Sequence, residues 1–207
     1  MNLTRLILVR HGETDWNAGT RIQGHTDIPL NERGLWQADR LAAALAHEEL
    51  HAIYSSDLQR AARTAMPTAR AAGLPVLHEP TLRERGFGVF EGLTFAEVES
   101  RWPDDAQRWR QREPGFAPGG GEALQDFHAR SVAAVDALAR RHRGQTLLVV
   151  SHGGVLDSLY RAATRVPLDA PRSWQVANAA VNRLLHTDEG FTLVGWDDRT
   201  HLDAGRL

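Results

Sequence analysis

Three stretches of the chain pass from an apolar run into a polar or glycine-bearing junction and then into a helical repeat, the pattern of a strand followed by a helix. The first run, Leu6-Ile7-Leu8-Val9, has no polar break, as in strands covered on both faces of a parallel sheet, and it ends in Arg10-His11-Gly12-Glu13-Thr14. The second, Ala52-Ile53-Tyr54, passes into Ser55-Ser56-Asp57-Leu58-Gln59-Arg60. Ser56 and Gln59 have capping-box spacing and predict a helix start. That helix carries Leu58, Ala61, Ala62 and Ala65 on one face and closes at Gly73 and Pro75, while Pro67 predicts a kink or an early end. The third run, Leu147-Leu148-Val149-Val150, leads into Ser151-His152-Gly153-Gly154-Val155 and another helical stretch.

Two further helices are predicted over residues 31–46 and 122–142. The first has Leu35, Ala38, Leu41, Ala42 and Leu45 in register, with Leu30 and Leu35 spaced as a hydrophobic staple; the second stops before Gly144. Ala180 to His186 and Phe191 to Trp196 read as strands joined across Asp188-Glu189-Gly190, so part of an otherwise mostly parallel sheet is expected to be antiparallel. Residues 86–121 differ: aromatic residues, arginines, prolines and Gly119-Gly120-Gly121 mark an excursion from the sheet, a lid. We expect one α/β domain over residues 1–207.

Composition narrows the function. Lys and Arg number 24 against 26 Asp and Glu, a formal charge of -2, so no global field draws the chain to nucleic acid or an anionic membrane. Any anion site is local. Leu6 to Val9 is too short for a signal-peptide core, and no later apolar stretch could span a bilayer. Cysteine is absent, which removes disulfides, thiolate metal ligands and thiol nucleophiles; cytoplasm is the simplest location.

The strand exits carry the candidate chemistry, because open parallel sheets bind ligands at the carboxyl ends of their strands. If the three exits are neighbours, His11, His152, Arg10 and Arg60 converge on a crevice suited to phosphate, whose oxygens match the guanidinium fork. Backbone N–H groups at the helix start after His152, Gly153 first, add donors. A lone histidine at a strand end is ordinarily a hydrogen-bonded structural residue, and a lone Arg60 at a helix start would turn to solvent. Two histidines, each followed by glycine, change that reading. Nearby arginines favour a neutral His11, the state needed for attack on phosphorus. Glu84, pointing opposite to Arg83 and Arg85 in an extended segment, is the candidate proton donor, although alone it would read as a surface ion-pair residue. Glu13 and Glu91 are weaker candidates.

At these residues the chain resembles the histidine phosphatase superfamily, also called phosphoglycerate mutase-like. Arg10 to Thr14 with Trp16-Asn17 matches its R-H-G-E-T hallmark; R-I-Q-G stands at Arg21 to Gly24, S-S-D-L-x-R-A-x-x-T-A at Ser55 to Ala65, L-R-E at Leu82 to Glu84 and S-H-G-G at Ser151 to Gly154. The resemblance implies a three-layer α/β/α sandwich and a phosphohistidine at His11. It implies that Arg10, Arg60 and His152 hold the phosphoryl group, that Glu84 donates the proton, and that Asn17, Gln23 and Gly24 line the site. No metal or cofactor is implied.

Hydrolases and mutases of this family share the first half-reaction. Gly86 to Gly92 matches the phosphatase form F-G-x-x-E-G, so we expect a phosphomonoester hydrolase acting on a small phosphorylated metabolite, with a 2,3-bisphosphoglycerate-dependent mutase as alternative. His25, where mutases commonly have tryptophan, is a departure. Arg101, Arg108, Arg110 and Arg112 in the lid either read a second substrate anion or, the reading we favour, form a solvated helix face. A non-catalytic phospholigand sensor would keep the arginines and could dispense with nucleophile or acid; both are present. A metal hydrolase lacks its H-E-x-x-H ligands and would have to hold a cation beside two arginines. A homodimer is compatible with the sequence.

Overall fold

Alternation along the two central strands sorts the core into two halves. In β1 (Thr4–Arg10), Leu6 and Leu8 face one side and Ile7 and Val9 the other; in β4 (Thr146–Ser151), Leu147 and Val149 are matched against Leu148 and Val150 in the same way. The first set packs on α6 (Leu124–Arg141) and α7 (Gly153–Thr164) through Phe127, Val135, Leu138, Val155 and Leu159. The second packs on α2 (Glu32–Ala44) and α3 (Gln59–Ala72) through Leu41, Ala61, Ala65 and Ala69. Helices therefore cover both faces, giving the expected three-layer α/β/α sandwich. These relations come from a computed structural model, which describes residues 3–203; residues 1–2 and 204–207 of the expected domain lie outside the described residues.

The sheet adds β2 (Ala52–Ser55), β3 (Val76–His78), β5 (Val181–Thr187) and β6 (Gly190–Asp198) in the order β3-β2-β4-β1-β5-β6. The pairs among the first four strands are parallel, and β5 is antiparallel to both β1 and β6. No helix among the described residues is long and apolar enough to cross a membrane.

Several local expectations need correction. Ser56 does not form a capping box with Gln59; its Oγ accepts only from the Leu58 N–H at 3.3 Å, and the first helical N–H, that of Gln59, is capped from another loop by Asp27 Oδ1 at 2.8 Å. Pro67 does not shorten α3, which continues to Ala72 and closes on Gly73 at φ 67°. Burial of Thr64, Ala65, Thr68 and Ala69 on the sheet side offsets the one backbone bond the proline removes. Leu35 cannot staple the buried Leu30, because it is 47% exposed. Gly34, Gln37, Ala38 and Leu41 form the buried stripe instead, rotated so that Gly34 meets the backbone of Glu13.

The lid is more ordered than an irregular excursion. It holds α4 (Phe95–Arg101) and α5 (Pro103–Arg110), and Phe90, Val98, Ala106 and Phe116 give it its own small core. Arg108 pairs with Glu113 and Arg110 with Glu99 at the surface, as a solvated face would. Arg112 departs from that reading: at φ 54° it turns inward to Asp157 of α7 at 2.8 Å. Two four-residue helices, α1 (Asp15–Ala18) and α8 (Thr200–Asp203), complete the elements used below.

Candidate active site

The register of β1 on β4 decides where the two histidines lie. Arg10 is level with Ser151, so His11 and His152 leave the sheet side by side with ring centroids 5.2 Å apart. The His11 N–H still bonds the Ser151 carbonyl at 2.9 Å, extending the pairing one residue past the strand.

His11 is 3% exposed and its Nδ1 lies 2.7 Å from the Gly12 carbonyl oxygen. A carbonyl only accepts, so the proton sits on Nδ1 and Nε2 keeps its lone pair. Burial, then the charges of Arg60 and Arg10, hold the ring well below its ordinary pKa of 6.5 against a smaller upward pull from the Gly12 bond. His11 is thus a neutral, oriented imidazole at pH 7. His152 is fully buried beside it, and among the described residues neither ring nitrogen has a partner. Burial and then Arg60 push its pKa well down too.

Arg60 enters from the first turn of α3 and is itself buried. Its Nη1 and Nη2 donate to the carbonyls of Thr26 and Gly24 at 2.9 and 2.8 Å. Burial lowers its pKa to about 10, which leaves it cationic at neutral pH. Arg10 donates Nη1 to the Val176 carbonyl at 2.8 Å. The Nε of each arginine is buried without a partner among the described residues, so both retain donors for an anion. Glu84 is the carboxylate whose charge acts most on both guanidiniums.

Glu84 reaches the same place while Arg83 turns to Asp57 and Arg85 to the carbonyls of Glu122 and Phe116. Its carboxylate accepts the N–H of Arg85 at 2.9 Å and that of Gly154 at 3.1 Å. A Cβ on Gly154 would lie 2.3 Å from Glu84 Oε1, so only glycine allows this approach. Gly24 is constrained similarly: its φ is 55°, and a Cβ there would stand 2.0 Å from Glu91 Oε1.

A cavity of about 200 Å³ joins Arg10, His11, Asn17, Gln23, Gly24, Arg60 and Glu84. His152 and Gly153 do not line it. Ile22, Phe87, Trp109 and Arg21 complete the wall; the sequence placed Arg21 and Ile22 in the R-I-Q-G block and Phe87 and Trp109 among the lid aromatics, but named none of the four as a site residue. Arg21 is committed to the Gly92 carbonyl at 2.7 Å and to Glu97 at 3.3 Å. Asn178, unread in the sequence, donates to the His11 carbonyl at 2.8 Å and to Asn17 Oδ1 at 3.3 Å, tying the His11 backbone to α1. A larger, open depression of about 850 Å³ is lined by Glu13, Arg33, Trp36 and Asn178 but holds neither histidine and neither Arg10 nor Arg60. The smaller cavity is the chemically competent one.

Glu13 and Glu91 are not acids of this site. Glu13 accepts from Asn31 at 3.0 Å and receives an ion pair from Arg33, outside the cavity. Glu91 accepts the N–H groups of His25, Thr26 and Phe87 and the Thr26 hydroxyl. Burial alone would raise its pKa, but those bonds outweigh it and leave a carboxylate fully used as a staple for the 23–26 loop. Among the described residues, no group of three or more His, Asp or Glu side chains is placed to hold a metal ion.

A neutral imidazole, one buried and one half-buried guanidinium and a carboxyl group around one small cavity are what transfer of a phosphoryl dianion to nitrogen requires. Residues 6–199 match the family model of the histidine phosphatase superfamily (branch 1). The chain belongs to this superfamily. Over 205 residues it is 38% identical to a metal-independent phosphoserine phosphatase of Arabidopsis thaliana, covering 98% of this chain and 84% of that one. It is 34% identical to a probable phosphoglycerate mutase, GpmB, of Photorhabdus laumondii, covering 99% and 98%. The crystal structure of a phosphoserine phosphatase from Entamoeba histolytica with 3-phosphoglyceric acid superposes with a TM-score of 0.86 at 28% identity, covering 96% and 99%. Within this histidine phosphatase, the two glycine-bearing strand exits lie on the central pair of strands, and the lid supplies Phe87 and Trp109 to the cavity wall.

Proposed function

We propose that the chain hydrolyses small phosphomonoesters through a phosphohistidine on His11. His11 Nε2 attacks phosphorus and the N–P bond forms as the ester P–O bond breaks. The Glu84 carboxyl group passes a proton to the departing alkoxide. The resulting carboxylate then takes a proton from water, whose oxygen attacks phosphorus; the N–P bond breaks, its electron pair returns to Nε2, and inorganic phosphate leaves. Arg10 and Arg60 meet the charge on the phosphoryl oxygens, each pair at ~4 Å being worth roughly 4 kcal/mol at an effective dielectric near 20. Asn17, Gln23 and Gly24 bound the phosphoryl pocket, whereas His152, beside His11 but behind the cavity wall, offers a further hydrogen bond only once the phosphoryl group has moved onto His11, and Gly153 stays outside the pocket.

The observation that carries this reading is the bond from His11 Nδ1 to the Gly12 carbonyl, in a ring whose pKa is driven down by burial and two arginines. It leaves the nucleophilic nitrogen unprotonated beside the anion cradle. The cavity's modest size fits a small organic phosphate rather than a drug-sized ligand, for which pockets run about 300–1,000 Å³. The mutase-named relative favours a second reading, in which a sugar-acid hydroxyl replaces water as acceptor.

The deciding experiment incubates purified protein with a panel of phosphomonoesters, and with 3-phosphoglycerate with and without 2,3-bisphosphoglycerate, following free phosphate, isomer exchange and acid-labile protein-bound phosphate. Phosphate release through an acid-labile adduct, absent from His11→Ala and unaffected by exhaustive chelation, is the expected result. Bisphosphate-dependent isomerisation overturns the choice of hydrolase, and full activity of His11→Ala overturns the mechanism.

A further inference from the structure

Glu84 sits in a segment that belongs to no strand or α-helix, between a 3-10 turn at Pro80–Leu82 and the lid. A proton donor on such a segment needs anchoring from outside, because a misplacement near 1 Å costs about a hundredfold in rate. Arg130, on α6, spreads its guanidinium across three of the segment's carbonyls. Nη1 donates to Thr81 at 2.7 Å and to Arg83 at 3.1 Å, and Nη2 to Glu84 itself at 3.3 Å. A second donor meets the same Glu84 carbonyl from the opposite wall, His25 Nε2 at 2.8 Å.

Glu122 joins these donors. It accepts Arg130 Nε on Oε1 at 3.0 Å and Arg130 Nη2 on Oε2 at 2.8 Å, a bidentate pair of fixed geometry. Oε2 also accepts the Gly86 N–H at 2.8 Å and lies 3.8 Å from His25 Nε2. The carbonyls of Thr81, Arg83 and Glu84 and the amide of Gly86 are therefore held from α6, from Glu122 just ahead of it and from the 23–26 loop at once. None of the three side chains lines the cavity, so their influence on the chemistry is indirect; Glu84 lies in the segment all three hold, and His25 also neighbours the Gly24 and Thr26 carbonyls that hold Arg60, a route that vanadate affinity reports separately.

We infer that Arg130, Glu122 and His25 form a clamp that positions Glu84 for proton transfer, making them positioning residues of the reaction. This rests on Glu84 being the proton donor. His25 thereby gains a task specific to its imidazole N–H.

The leaving group separates this role from a merely structural one. A p-nitrophenolate departs with little protonation, whereas the alkoxide of β-glycerophosphate depends on the acid. The measurement is kcat/KM for both substrates, which reports the steps through P–O cleavage, for Arg130→Met, Arg130→Lys, His25→Ala and His25→Gln, with Glu84→Gln as reference. Vanadate affinity and thermal midpoint are recorded alongside. Arg130→Met and His25→Ala should lose about tenfold more on β-glycerophosphate than on p-nitrophenyl phosphate, in the direction of Glu84→Gln, with vanadate binding within about threefold of the parent. His25→Gln, which keeps a donor, should recover most of the loss. Equal losses on both substrates, or none, with Glu84→Gln still selective, overturn the clamp. Lack of selectivity in Glu84→Gln overturns the role of Glu84 and the clamp with it. Should Arg130→Met fail to fold, Arg130→Lys and the two His25 variants decide.

Discussion

A histidine proposed to attack phosphorus has to be unprotonated while standing among the cations proposed to bind its substrate, and those cations add to the burial that keeps it unprotonated. Burial comes first in depressing the His11 pKa below 6.5 and the charges of Arg60 and Arg10 come next, so the acid limb of kcat/KM should lie below pH 6.5. The profile must be corrected for the second ionisation of the phosphate ester, near pH 6. A limb at or above 6.5 after that correction would mean that a protonated His11 dominates the free protein. Gly154 gives a second residue-level prediction. Its Cβ would press on Glu84 Oε1 and on the buried Phe127 ring at 2.9 Å, and the ring has little room to yield. Gly154→Ala should therefore displace the carboxyl and lower kcat/KM for alkyl phosphates about a hundredfold, with a smaller loss for aryl phosphates; equal turnover of both at the parent's rate would refute it. His11, Arg10, Arg60 and Glu84 were legible in the sequence because their neighbours carry a pattern. Arg130, Asn178 and Trp109 had no such signal, being brought in by helix α6, the β5 approach and the lid from far along the chain.

Among the elements, β1 and β4 were readable as unbroken apolar runs, since a strand covered on both faces cannot alternate. β3 was missed because it is three residues long, lies at the sheet edge and leaves Leu77 and His78 exposed. α4 was missed although Thr94 and Glu97 form a complete capping box, a signal the aromatic and proline content of the lid obscured. The rotation of α2 could not be read either, because it depends on a contact rather than a periodicity. Gly34 lies so close to the His11 exit loop that a Cβ would be 2.1 Å from the Glu13 carbonyl oxygen, and Gly12 faces Gly34 just as tightly at 2.6 Å. Asn31 reinforces the junction, capping the Gly34 N–H at 2.9 Å and donating to Glu13 at 3.0 Å. Both sides of the Gly34 contact are backbone, so neither can rotate away. Gly34→Ala should cost about 1–3 kcal/mol in urea unfolding and lower activity by shifting the His11 loop. Unchanged stability would show that α2 can slide on the loop, and that the loop is not held by it.

Across the whole molecule, the same burial that prepares the site makes folding sensitive to mild acid. His11 and His152 are both held well below 6.5, by burial first and arginine charge next, and His128 and His201 are lowered in the same direction with burial leading. Above about pH 6.5 these rings are neutral in the folded and unfolded chain alike and contribute no pH dependence. Below it the unfolded chain binds protons that the folded chain refuses, so stability falls with pH until each folded pKa is reached. A fully refused proton costs about 1.4 kcal/mol per pH unit, so His11 and His152 together should steepen the loss to roughly 3 kcal/mol per unit. The carboxylates held low by their partners, Asp57 by Arg83 and Asp136 by Arg140, lose their contribution only below the ordinary carboxylate range, so the interval from pH 6.5 to 5.5 lies above their window. Urea midpoints at pH 7.5, 6.5 and 5.5 measure the slope, and His152→Asn should remove about half of the share due to the pair. A flat profile from pH 6.5 to 5.5 would mean that the buried rings accept protons in the folded protein, and a nucleophile that does so beside two arginines is not the one described for position 11.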